Sequence, residues 1–231
     1  MATRRNLQPL ARPLRSPASP PRPPPPSTVA LGTAYERATA SFLAQAPQYT
    51  LQGIVRVGGK GDQGIDLRAR WHLASSPSSH PLPYPVIVQC KAESSPVGPA
   101  TVRELEGTLA AQHPSPSSPS TAPSVPHIAL LVALSGFTEA AIRHARSSTR
   151  PLALLHLEPV PVPGTGAGGD EAPHDWVRAR AGTVTTRLVS ASWNRALEGL
   201  VARAREGEGE ERRAGRGRGG RDGEDGPGRA G

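Results

Sequence analysis

The sequence predicts an α/β fold, a central mixed β-sheet flanked by helices, set between disordered N- and C-terminal tails. Three observations point there. From Thr33 to Leu157, short apolar and β-branched runs alternate with stretches whose apolar residues recur at helical spacing. The first two long strands are joined by a Ser/Pro loop in a hairpin-like connection, whereas the later strands alternate with helices, which implies parallel crossovers. Gly and Pro number 25 and 27 among 231 residues. They gather at the ends and in loops, which leaves a packed core inside disordered flanks.

Taken in order, Met1 to about Pro26 is Arg-rich, contains Ser and Thr and holds no acid, the composition of a mitochondrial transit peptide. Leu7, Leu10 and Leu14 are spaced for a short amphipathic helix, which Pro9 and Pro13 interrupt. A plain disordered basic tail is the alternative reading. The run Pro21–Pro26 is a stiff spacer. Thr33–Ala46 reads as the first helix, with Tyr35, Ala38 and Phe42 on one face and Pro47 just past its end. Glu36 falls off that stripe, and the pattern alone makes it a solvated helix acid. Thr50–Val57 is a short β-branched strand.

The turn that follows contains Gly59-Lys60-Gly61-Asp62-Gln63-Gly64, the glycine spacing of a dinucleotide-binding loop. Such a loop must open a helix whose N-terminus receives the phosphates. Here Ile65-Asp66-Leu67 continues as strand and Asp62 repels a pyrophosphate, so the cofactor reading is rejected and the glycines are assigned to a tight turn with positive φ. Asp62 is read as a turn residue. Ser75–Pro83 is the Ser/Pro loop, and Tyr84–Ala92 a strand apolar enough for the middle of a sheet. Gly98–Gln112 is the second helix, burying Val102, Leu105 and Leu109. Pro114–Pro126 is a flexible insertion.

His127–Leu134 is a buried strand and Phe137–Ser147 the third helix, with Thr138 or Ser135 available to cap it. Pro151–Leu157 is a further strand. His144 and His156 are isolated and are read as structural. Pro159–Asp170 is a Pro/Gly linker. Trp176–Arg180 and Thr183–Val189 have strand propensity, and Ser192–Arg205 reads as a helix. This segment extends the domain or packs on its edge. The division of the chain is thus 1–28 transit-like tail, 29–158 domain, 159–173 linker, 174–205 extension and 206–231 disordered Gly/Arg/Glu tail.

Charge says less than the net +8 suggests. Residues 1–35 carry five Arg and no acid, whereas residues 36–200 carry 14 basic and 12 acidic residues. The excess therefore lies in the tail, and the domain is nearly balanced. Aromatics at 3% argue against a stacking platform for single-stranded nucleic acid. The single Cys90 excludes an intramolecular disulfide and suits a reducing compartment. No apolar run reaches membrane-spanning length.

Strand alternation singles out one constellation. Ile65, Leu67, Ala69 and Trp71 share a face, with Asp66, Arg68, Arg70 and His72 opposite. On the next strand Val86, Val88 and Cys90 share a face and Ile87, Gln89 and Lys91 take the other. Pairing the apolar faces puts Asp66 on the side of Gln89 and Lys91. Asp66 and the Gln89 carbonyl oxygen then suit a divalent metal, because Mg²⁺ takes oxygen ligands and keeps several waters. Lys91 is placed to orient water or neutralise a phosphate. Cys90 points the other way and is read as a small core residue.

The wording Gly61-Asp62-Gln63-Gly64-Ile65-Asp66-Leu67 followed by Val88-Gln89-Cys90-Lys91 resembles the Mrr-type branch of the restriction-endonuclease-like nucleases, in which Gln replaces the usual second acid. Arg103-Glu104-Leu105-Glu106-Gly107 and Gly136-Phe137-Thr138-Glu139-Ala140-Ala141, with Ala145 four further on, are similar to the family's later helices. Tyr35-Glu36 is similar to the acidic position of its first helix. The resemblance covers roughly residues 31–157. Its fullest wording is similar to a fungal mitochondrial subgroup, the required for respiratory growth protein 7 type.

The resemblance implies a restriction-endonuclease-like core and cleavage of DNA phosphodiesters, double-stranded DNA being the expected substrate, with Mg²⁺ or Mn²⁺ as cofactor. It implies Asp66 and Gln89 as metal ligands, Lys91 as the charge-stabilising group and Glu36 as a fourth site residue. It also implies a mitochondrial role in genome upkeep and respiratory growth, and it leaves a homodimer open. The rival expectation is a non-catalytic mitochondrial protein that keeps the fold and binds nucleic acid or a protein partner.

Overall fold

The computed structural model describes residues 24–46, 49–57, 63–73, 83–112, 125–161, 175–178 and 184–204. The transit-like segment up to residue 23, Gly58–Asp62, most of the two Ser/Pro loops, residues 162–174 of the linker and the Gly/Arg/Glu tail lie outside the described residues. Five helical and six extended segments follow one another. They are α1 (Thr28–Gln45), β1 (Leu51–Arg56), β2 (Leu67–Trp71), β3 (Tyr84–Lys91), α2 (Pro99–Ala111), β4 (Ile128–Ala133), α3 (Glu139–Ser147), β5 (Leu152–Pro161), a 3-10 turn (Asp175–Arg178), β6 (Val184–Trp193) and α4 (195–204). No described helix is long and apolar enough to cross a membrane.

The six strands form one sheet in sequence order. β1, β2 and β3 pair antiparallel, β3, β4 and β5 pair parallel through α2 and α3, and β6 closes the far edge antiparallel to β5. The expected mixed sheet flanked by helices is therefore present, with a hairpin half and a crossover half. Side-chain alternation divides the core between the two faces. Leu67, Ala69, Trp71, Val86 and Val88 pack with Tyr35 and Leu43 of α1 and Leu197 of α4. Ile87, Leu131 and Leu154 pack on the other face with Val102, Leu105 and Leu109 of α2 and Ala141 of α3. β4 is buried along its whole length, as suits a strand covered on both faces.

Local chemistry sets most of the ends. The Ser27 hydroxyl accepts from Ala30 N at 3.2 Å and starts α1 at Thr28, five residues before the expected start. The buried stripe of α1 is Tyr35, Thr39 and Leu43, which keeps Tyr35 and shifts by one residue from Ala38 and Phe42. The Tyr35 hydroxyl donates to Leu157 O at 2.9 Å, tying α1 to β5. In α2 the expected residues Val102, Leu105 and Leu109 are the buried ones, and Pro99 occupies the first turn. Thr138 caps α3 by accepting from Ala141 N at 3.2 Å, while Ser135 donates to Glu93 O. Phe137 stays outside that helix because it bridges to Val97.

Three expectations are corrected. Ile65 does not share the face of Leu67: it packs with Ile87 in the core under α2. Gln63 and Gly64 have φ of 56° and 77°. The turn they make delays β2 to Leu67, and the two-residue alternation does not reach back to Ile65. The described part of Trp176–Arg180 is a 3-10 turn rather than a strand, with Trp176 edge-on to Tyr35 at 6.4 Å. The expected helix from Ser192 begins instead at residue 195. Ser192 and Trp193 belong to β6, opposite Leu154 and Ala153 of β5.

Candidate functional site at the end of the third strand

The β2–β3 ladder ends at the pair Leu67–Val88, with Asp66 just beyond it. Asp66 is still anchored by its backbone on both sides. Its N–H donates to Val88 O at 2.9 Å, and its carbonyl accepts from Val57 N at 2.9 Å. Its carboxylate takes the ladder's next acceptor position, with Cys90 N donating to Asp66 Oδ2 at 2.6 Å. A charge-assisted bond of that length fixes the carboxylate where the two strands part.

Gln89 and Lys91 follow the strand's alternation. They stand in register with Leu131 and Ala133, two residues of the core under α2 and α3. Gln89 is 8% exposed, and its carbonyl oxygen has no hydrogen-bond partner. Such orphaned buried acceptors are few in folded proteins. Lys91 is half-buried, and no ion pair or hydrogen bond holds its ammonium among the described residues. The chain therefore brings an acid, an amide and an ammonium to the last turn of one strand pair, with Cys90 N between Gln89 and Lys91 in sequence gripping the acid.

Glu36 is placed differently from a solvated helix acid. Its side chain is 16% exposed and accepts from Arg56 Nε of β1 at 2.8 Å. Arg56 had no distinguishing mark in the sequence, since the partners lie 20 residues apart on different elements. Burial pushes the Cys90 thiol up from its ordinary range, and the neighbouring Asp66 and Glu36 charges add to the effect. Cys90 is thus a neutral thiol on the α1 side, as expected of a core residue. His144 pairs with Glu106 at 2.9 Å, and His156 Nε2 meets Leu134 O at 3.1 Å. Both histidines link secondary-structure elements, in keeping with the structural reading.

A set of contacts with no local signal holds the chain just ahead of Asp66. Thr108 of α2 donates its hydroxyl to Gln63 O at 3.0 Å. Gln112 Nε2 reaches Gln63 Oε1 at 3.5 Å, and both terminal nitrogens of Arg68 donate to Gln112 Oε1 at 3.1 Å. Among the described residues there is no group of three or more His, Cys, Asp or Glu able to cage a metal. A hard cation of the Mg²⁺ type does not need one: it is commonly held through one or two carboxylates and several waters. The unpartnered Gln89 oxygen and the fixed Asp66 carboxylate are the oxygen donors that this end of the strand pair offers such an ion.

Comparison with known proteins places the chain in a family. The family model described as required for respiratory growth protein 7 matches residues 27–84 and 76–172. That is more than half of the chain, and the chain belongs to this family. The matched residues include Glu36, Asp66, Gln89 and Lys91 but neither β6 nor α4. A relative in Schizosaccharomyces pombe, named "Uncharacterized protein C824.03c, mitochondrial", is 33% identical over 131 residues, covering 57% of this chain and 46% of the relative. The chain thus spans about half the length of the curated relative it matches. No solved structure matches. Family and relative together support the mitochondrial location expected from the Arg-rich tail.

Proposed function

We propose that this member of the required for respiratory growth protein 7 family is a metal-dependent endonuclease that hydrolyses phosphodiesters of double-stranded DNA in mitochondria. The observation that carries the reading is the Gln89 carbonyl oxygen, buried and without a partner, on the strand whose next backbone amide fixes the Asp66 carboxylate. Asp66 and Gln89 hold one Mg²⁺ or Mn²⁺, which supplies positive charge at a phosphate oxygen and lowers the pKa of water. Asp66 keeps its orientation because Cys90 N–H and the two flanking strands fix it. Lys91 places a cation where charge develops on the phosphate. Neutral Gln89 gives the site one negative charge fewer than a two-acid pair, so it binds the ion weakly. The likeness of the Gly-Ile-Asp-Leu and Val-Gln-Cys-Lys wording to Mrr-type nucleases supports the same chemistry.

One observation favours a second reading, a non-catalytic protein that binds nucleic acid or a partner. Glu36, the remaining acid of the expected set, is taken up by Arg56. The test is cleavage of double-stranded DNA by the full chain with and without Mg²⁺ or Mn²⁺, beside Asp66→Asn and Lys91→Ala. Cleavage that needs the metal and falls at least about a hundredfold in each variant supports the nuclease. Salt-sensitive DNA binding without cleavage supports the second reading.

A further inference from the structure

The turn ahead of Asp66 brings the backbone at Gly64 close against the Gln89 side chain. Gly64 has φ of 77°, and a Cβ built there falls 2.8 Å from Gln89 Nε2 and 3.7 Å from its Cδ. Contact at 2.8 Å is closer than real side chains tolerate, so any other residue at 64 must rotate the Gln89 amide. Gln89 is the side chain whose other arm, the carbonyl oxygen, is buried and unpartnered. The Gly64 backbone thus stands against the nitrogen arm, and the oxygen arm of the planar amide lies on the opposite side.

The turn is not held by its own sequence. Gln63 is a non-glycine residue at φ of 56°, a region that costs energy for a residue with a side chain. The contacts from α2 offset that cost. Thr108 grips the Gln63 carbonyl, and Gln112, itself held by both arms of Arg68, meets the Gln63 side chain. These three residues, from α2, its C-cap and β2, converge on Gln63, the residue before Gly64.

We infer that the Gln63–Gly64 turn, clamped to α2 by Thr108, Gln112 and Arg68, is a positioning device that sets the Gln89 amide with its oxygen toward the metal. The inference rests on the metal-binding reading above and deepens it. Gly64, Thr108, Gln112 and Arg68 touch neither metal nor substrate in this scheme. They act through Gln89, as outer-sphere groups do when they fix the orientation of a ligand.

The experiment titrates Mn²⁺ into the full chain, with free Mn²⁺ read by electron paramagnetic resonance, for wild type, Thr108→Val, Gly64→Ala and Gln89→Ala. Urea unfolding of each variant is measured alongside. Thr108→Val removes the hydroxyl and keeps the shape. It is expected to weaken Mn²⁺ binding by about tenfold or more while the unfolding midpoint stays near wild type. Gly64→Ala is expected to weaken it further, and if that variant does not fold, Thr108→Val decides. Wild-type Mn²⁺ affinity in Thr108→Val, with affinity lost in Gln89→Ala, overturns the positioning role and leaves the metal reading standing. Affinity unchanged in Gln89→Ala, or no binding by wild type, overturns both.

Discussion

Gln89 and Asn194 are the buried side-chain amides among the described residues, and the fold uses them in opposite ways. Asn194 is 2% exposed and fully engaged. Its oxygen accepts from Leu152 N at 3.3 Å and Leu197 N at 3.0 Å. Its nitrogen is shared among the carbonyls of Ala145, Ser148 and Arg150, the last at 2.6 Å. One side chain thereby ends α3, starts β5 and caps α4. Gln89 sits near the end of β3, a central strand of the sheet, and its oxygen has no hydrogen-bond partner. An unmade bond on a buried polar atom costs about 1–3 kcal/mol. Conflicts between local rule and global fold collect at functional sites.

The contrast can be broken most directly at Asn194. Asn194→Ala strands the buried N–H groups of Leu152 and Leu197 and takes a donor from three carbonyls at once, and is expected to lower the unfolding free energy by about 3 kcal/mol. Urea unfolding followed by circular dichroism reads it, and a midpoint within error of wild type would show that the bonds contribute nothing. Gln89→Met keeps the length and removes the orphaned acceptor. Its stability is expected to equal wild type or exceed it by up to about 1 kcal/mol, while metal-dependent DNA cleavage is lost. A loss of stability matching that of Asn194→Ala would make Gln89 a second structural amide and end the comparison. A milder sharpening comes from Cys90, one residue away. Its thiol is pushed well above its ordinary range, first by burial and then by Asp66. The native protein is expected to resist iodoacetamide at neutral pH and to react once unfolded. Prompt alkylation of the folded chain would mean that the strand end is open on the α1 side.

The difference between the two amides also marks what the sequence could show. Period-two alternation placed Gln89 and Lys91 on one face, and the α2 stripe of Val102, Leu105 and Leu109 was readable from helical spacing alone. Asp66 was singled out as an acid next to a strand start, and the structure ties it to β3 through Cys90 N. The face of Ile65 was not legible, because a positive φ at the non-glycine Gln63 is imposed by α2 some 45 residues later in the chain. The Glu36–Arg56 pair and the Asn194 bonds were hidden for the same reason. Apart from the Asn194 cap on Leu197, they join residues 20 to 49 positions apart, and neither composition nor spacing encodes such meetings. Asn194 carried a local signal that was passed over: an Asn just before the run Ala196, Leu197, Leu200 is a helix N-cap, and it also marks where β6 must end.

The smallest effect concerns the electrostatic support beside Asn194, where Glu106 of α2 meets His144 and the Ser148–Arg150 segment. Burial acts to raise the Glu106 carboxyl. The Ser148 hydroxyl, the His144 ring and the Arg150 charge outweigh it, and the net direction is downward. A carboxyl lowered on folding adds stability above its unfolded pKa, near 4.5, and loses that contribution as pH falls through the lower folded value. Between pH 7 and 5 the contribution is therefore constant, and below about pH 4.5 it fades. Glu106→Gln keeps the shape and removes the titration. Its unfolding midpoint is expected to lie slightly below wild type at pH 7, with the two curves converging on acidification. Because Ser148 and Arg150 also present their carbonyls to Asn194, loss of the Glu106 charge loosens the Asn194 end of the sheet and leaves the Gln89 end untouched. Hydrogen exchange at pH 6 and pH 4 separates the two. Faster exchange at Leu152 and Leu197 in Glu106→Gln, with Cys90 N–H unchanged, is the expected result. Equal acceleration at all three would mean that the two amides belong to a single cooperative unit.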